Sequence, residues 1–158
     1  MPRKLRLAPV ALVIALAAAG CGSSSNTGGA KLVAEADPIC KQVSVERTAA
    51  NTAVSKAGSS TSKTLQVLAR VAPPVAADEQ RAIVRLRAIK APSSLASDWQ
   101  RLLAGMEQLA NDATKIGSDA KAGQYNDVTS LTASGRKVRE QITAIATRDG
   151  FTYCGRTS

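Results

Sequence analysis

The chain has no histidine among its 158 residues, which removes the commonest acid–base group before any pattern is considered. No Ser/His or Cys/His arrangement can form, and haem has neither an axial histidine nor a C-x-x-C-H attachment motif. A carboxylate site would need two acids converging on one pocket. Asp112 and Asp119 share a helical face, but Lys115 stands between them at i+3 and i+4, the spacing of a solvated ion-paired face. Cys40 and Cys154 lie too far apart in the chain to be half of a closely spaced four-ligand zinc or soft-metal set. These residues point away from an enzyme, a metal site or a cofactor site. What they leave is binding through cations. Arg81 and Arg85 project opposite Ile83, Leu86 and Ile89, with Arg87 and Lys90 on the flanks. Arg136, Lys137 and Arg139 form a second basic run, with Glu140 placed as an i+4 partner of Arg136.

The third cysteine, Cys21, has a different context. Arg3, Lys4 and Arg6 precede an apolar run from Leu7 to Ala19 that only Pro9 interrupts. A bilayer-spanning helix needs roughly 20 apolar residues, so this run is too short to stay in a membrane and reads as a secretory signal. A-A-G-C at Ala18–Cys21 resembles the lipobox of bacterial lipoproteins, with Ala18 where that family usually carries leucine. The resemblance implies a diacylglyceryl thioether on Cys21, which becomes the new N-terminus. G-S-S-S-N-T-G-G at 22–29 then reads as a flexible tether. The expected organisation is a signal peptide over 1–20, a Gly/Ser-rich tether over 21–30 and a domain over 31–158.

Removing the signal lowers the formal charge from +9 to +6. On an exported domain this surplus points to anionic envelope polymer, lipid headgroup or an acidic protein. Nucleic acid is not expected, because Trp99, Tyr125, Phe151 and Tyr153 are the only aromatics and cannot make a base-stacking surface. With Cys21 assigned to lipid, Cys40 and Cys154 remain as an even pair, the signature of a disulfide in an exported protein.

Holding these groups in place requires helices throughout. Asp37-Pro38 predicts the start of the first, with Asp as N-cap and Pro at the first helical position. Its stripe runs Ile39, Cys40, Val43, Ala50, Ala53, Val54, Ala57 and stops at Gly58. The second stripe runs Leu65, Leu68, Ala72, Val75, Ala76, Ile83, Leu86, Ile89, and Pro73-Pro74 predicts a kink or a split. Ser93 or Ser94 is the expected cap of the third helix, whose stripe includes Leu95, Trp99, Leu102, Leu103, Met106, Leu109, Ala113, Ile116 and Ala120. The fourth carries Val128, Leu131, Gly135, Val138, Ile142 and Ile145, with Gly150 as its C′ residue. Four helices of comparable length predict an all-α, up-down-up-down bundle. Its even helix count brings Cys40 and Cys154 to the same end, so a terminal disulfide would close it.

The domain resembles a group of small helical lipoproteins of actinobacterial type. The residues that carry the likeness are A-D-P-I-C (36–40), L-R-A-I-K-A-P (86–92), L-A-S-D-W (95–99), K-A-G-Q-Y (121–125) and G-F-T-Y-C (150–154). The resemblance implies a disulfide-closed bundle on the outer face of the cell membrane, and brings no substrate or catalytic residue. The expected function is a non-catalytic binding or structural module. The alternative is a bundle that holds a small apolar ligand in an interior pocket.

Overall fold

The computed structural model describes residues 24–155, with side chains from residue 27 onward. The signal segment, Cys21 and the first residues of the expected tether lie outside the described residues. Four helices make an all-α bundle: α1 (Ser24–Lys56), α2 (Thr61–Arg87), α3 (Ala96–Lys121) and α4 (Tyr125–Arg148).

α1 departs from expectation at its start. Asp37-Pro38 does not begin it, since the helix already runs from Ser24 through Pro38, taking in residues 24–30 of the expected tether. Pro38 removes one backbone hydrogen bond and crowds the preceding turn. Burial of the upstream stripe offsets that cost: Leu32 is 2% exposed and Ala36 fully buried, continuing through Ile39, Cys40 and Val43. Gly28 and Gly29 of the expected tether serve packing. A Cβ on Gly28 would lie 3.2 Å from the Pro92 Cβ, and one on Gly29 would lie 3.4 Å from a Leu95 methyl. The start of α1 therefore rests on the connection between α2 and α3.

α2 is not split at its prolines but runs as one helix past Pro73 and Pro74. The Pro73 ring faces Gly117 of α3, where a Cβ would come within 2.8 Å of the ring, so only glycine admits this approach. Fourteen residues further along α2, Arg87 reaches Glu107 of α3 at 2.6 Å. These α2–α3 contacts thus run in opposite sequence directions.

α3 is entered without a serine cap. Leu95 is the N-cap residue and no side chain closes the first turn. Instead the chain turns in tightly: Leu95 donates its N–H to the Pro92 carbonyl at 3.0 Å, and its side chain packs against the core. Between α3 and α4 the tight glycine contact is at Gly105, where no Cβ fits beside Ile142, whereas Gly135 meets Leu109 at ordinary contact distance.

The core is concentrated at one end. Leu32–Val43 of α1, Ala82–Leu86 of α2, Trp99–Ala110 of α3 and Val138–Ala146 of α4 form it, whereas Leu65 and Leu68 are only half-buried. Gly150 ends α4 at φ +84°, a value that favours glycine, and Phe151 donates its N–H back to the Ala146 carbonyl at 2.9 Å. The Phe151 ring stacks on Trp99 with centroids 5.7 Å apart. Residues 151–155 then cross to α1, where Cys154 is disulfide-bonded to Cys40.

Candidate functional site

The core-rich end carries the most polar organisation. Asp37, freed from capping α1, points its carboxylate at the strap formed by residues 151–155. Its Oδ2 accepts the N–H of Thr152 at 2.8 Å, and its Oδ1 accepts those of Tyr153 and Cys154 at 3.0 and 3.3 Å. Lys41 stands over the Tyr153 ring at 5.4 Å. The carboxylate therefore holds three consecutive N–H groups beside the disulfide, and its role is to order the strap.

The cations expected to form a binding face do not act as one group. Arg81 is paired with Asp78 on its own helix, and Arg87 with Glu107. Arg85 and Lys90 are exposed, and neither has an ion-pair partner among the described residues. Lys90 stands two positions before Pro92, the residue that touches Gly28, so it lies beside the first turns of α1. On α4, Arg136 and Lys137 face outward, and the expected Arg136–Glu140 pair is not formed. Arg139 turns partly inward instead. Nearby, Lys115 pairs with Asp119 at 2.9 Å, while Asp112 faces α4 rather than Lys115.

Arg139 belongs to a charged layer at mid-height that takes one residue from each helix: Arg47, Glu79, Asp112 and Arg139. Arg47 donates from both Nε and Nη2 to Glu79 Oε1, at 3.0 and 2.6 Å. Glu79 is 3% exposed, and its Oε2 has no donor; nor does the buried Asp112 Oδ2. Burial pushes the Asp112 carboxyl above its ordinary value, and the Arg139 charge opposes the shift. Burial lowers Arg139 in turn, reinforced by the facing charge of Arg47 and countered by Glu79 and Asp112. Sequence reasoning missed this layer, although it leaves a trace. Arg47 falls where the α1 stripe steps from Val43 to Ala50, and Glu79 where α2 steps from Ala76 to Ile83.

This arrangement can fix register between helices. It offers no nucleophile with an adjacent base, and no cluster of metal-ligating side chains occurs among the described residues. An apolar ligand inside the bundle would meet the Arg47–Glu79 pair at mid-height. A groove of about 420 Å³ does exist, lined by Ile89, Trp99 and Leu103 but also by Arg87 and Gln100, and it opens at the surface between the end of α2 and the start of α3. Among the described residues no helix is long and apolar enough to cross a membrane. No protein-family model, curated protein or solved structure matches the chain.

Proposed function

We propose that this protein is a lipid-anchored, non-catalytic envelope protein whose helical domain docks on an anionic surface beside its anchor. The observation that carries the reading is the packing of Gly28 and Gly29 on Pro92 and Leu95. It places the exposed Lys90 beside the first turns of α1, whose first residue is three after Cys21, with the exposed Arg85 further along α2 on the same half of the bundle. A lipid on Cys21 would hold this half of the bundle near the headgroups, where a cation counts once it comes within a Debye length, about 8–10 Å at ordinary ionic strength. Each Lys or Arg near an anionic leaflet contributes about 1 kcal/mol, so two or three suffice to orient a domain that is already tethered.

The anchor makes a direct demand on mass. Protein from the membrane fraction should begin at Cys21 and carry added acyl mass; a product cleaved elsewhere with a free Cys21 thiol refutes the anchor.

The docking face is tested without the lipid. Residues 22–158 should associate weakly with vesicles containing anionic phospholipid at low salt, and lose that association in high salt or on zwitterionic vesicles. Arg85→Gln with Lys90→Gln should reduce it by about tenfold or more, at about 1 kcal/mol for each charge. Vesicle binding unaffected by this double substitution rules out the face.

A further inference from the structure

We propose that the end of the bundle remote from the start of α1 carries a second anion site, a groove that binds a linear phosphate polymer. The groove lies between the last turns of α1 and the first turns of α2, with a volume of about 390 Å³. Lys56 enters from the α1 wall, and Lys63 and Arg70 from the α2 wall; Ala53, Ala57 and Val67 supply apolar lining.

Three observations give the groove its chemistry. First, residues 48–77 contain three cations and no acidic residue, so the local charge is uncompensated in sequence. Second, Lys56, Lys63 and Arg70 are all exposed, and none has an ion-pair partner among the described residues. This contrasts with Arg81, Arg87 and Arg148, each held by a carboxylate. Third, the charges are spread out. Lys63 and Arg70 are seven residues apart on one helix, which sets them about 10 Å apart along the axis with Lys56 across the groove.

Spread cations select a multivalent ligand, since a single small anion cannot reach both ends of the row. Phosphate fits better than carboxylate. Its oxygens surround the phosphorus, so ammonium groups from opposite walls can share one phosphate, whereas a planar carboxylate is matched best by the fork of a single arginine. Two of the three cations here are lysines. α1 is about 50 Å long, so the groove stands that far from the segment leading to Cys21. In the anchored orientation proposed above it faces away from the membrane, which favours a polymer over a headgroup. That orientation rests on the anchor; the groove and its charges do not.

The test uses residues 22–158 with polyphosphate as the probe. Wild-type protein should bind at 50 mM salt. With the single-strand value of about −0.7 per neutralised phosphate, three contacts give a log–log slope near −2. Affinity should therefore fall about twentyfold between 50 and 200 mM salt. Lys56→Gln, Lys63→Gln and Arg70→Gln together should abolish that slope and lower affinity more than tenfold at 50 mM. All three side chains are exposed, so the helical circular dichroism should not change. Arg85→Gln with Lys90→Gln should leave polyphosphate binding intact, which separates this site from the docking face. Failure of wild type to bind polyphosphate, undiminished binding by the triple variant, or equal binding of polyglutamate each overturns the proposal. So does a loss of anionic-vesicle binding in the triple variant, because that result would make the groove a headgroup site.

Discussion

Replacing Cys40 and Cys154 together by alanine is expected to lower stability by about 4–5 kcal/mol, the chain-entropy value for a closed loop of about 100 residues. Against a net stability of about 5–15 kcal/mol for a domain, that is a large fraction. The size of the effect follows from the helix arrangement. Extensive helix packing joins α1 to α2, α2 to α3 and α3 to α4, while the return from α4 to α1 depends on the strap over residues 151–155. The disulfide and the Asp37 carboxylate hold that strap to α1. Gly155 fits against α4 where a Cβ would come within 2.8 Å of Ala146 Cβ, and its carbonyl accepts from the Thr143 hydroxyl. Without the cross-link, the strap is held to α1 by the Asp37 hydrogen bonds and by its packing in the core, which includes the Trp99–Phe151 stack. The double variant should melt at least about 10 °C lower. Its far-ultraviolet spectrum should stay helical at low temperature, with hydrogen-exchange protection lost first in α1 and the strap. A shift of only one or two degrees would mean that helix packing, not the covalent bond, closes the bundle.

The parts of the fold legible in the sequence are those that repeat. Stripes at 3.6-residue spacing located α2, α3 and α4, and the placement of Cys40 and Cys154 at one end agreed with their pairing. The misreadings cluster where a residue with a strong local preference serves a distant partner. Asp37-Pro38 has the form of a helix start, yet Asp37 caps N–H groups more than 110 residues away and Pro38 sits inside α1. Gly28 and Gly29 have the composition of a linker, but their missing side chains let α1 rest on Pro92 and Leu95. Pro73-Pro74 suggest a kink or a split, but α2 is not split there, and the Pro73 ring packs into the space left by Gly117. Local chemistry cannot show such pairings, because each depends on what another helix brings to the same place. The cationic residues illustrate the same limit. Arg85 and Arg87 look alike in sequence, and only the fold distinguishes an arginine held by Glu107 of α3 from one without an ion-pair partner among the described residues. The charged layer was obscured differently: a single charge in an apolar stripe resembles an imperfection until its partner on the next helix is known.

The paired arrangement of Arg47 and Glu79 carries the second large expectation. Arg47→Met should cost about 3–5 kcal/mol, since it leaves the Glu79 carboxylate buried without the two donors that now satisfy Oε1. The cost is one of isolation rather than of lost attraction. Taking two charges out of water is expensive, and their mutual attraction repays little more than that expense. The double variant Arg47→Met, Glu79→Leu should therefore recover most of the loss and fall within about 1–2 kcal/mol of wild type on either side. Asp112 and Arg139 sharpen the expectation. Arg47 and Arg139 repel across the layer while Glu79 attracts Arg139, so removing the pair takes away one favourable and one unfavourable interaction together. Chemical denaturation of the four proteins in the cycle measures the coupling directly, with similar denaturant slopes needed to show that the unfolded states are comparable. A coupling of at least about 2 kcal/mol is expected. Additive effects, with the double variant as damaged as the sum of the singles, would mean that the charges act separately and that the layer does not hold α1 and α2 in register.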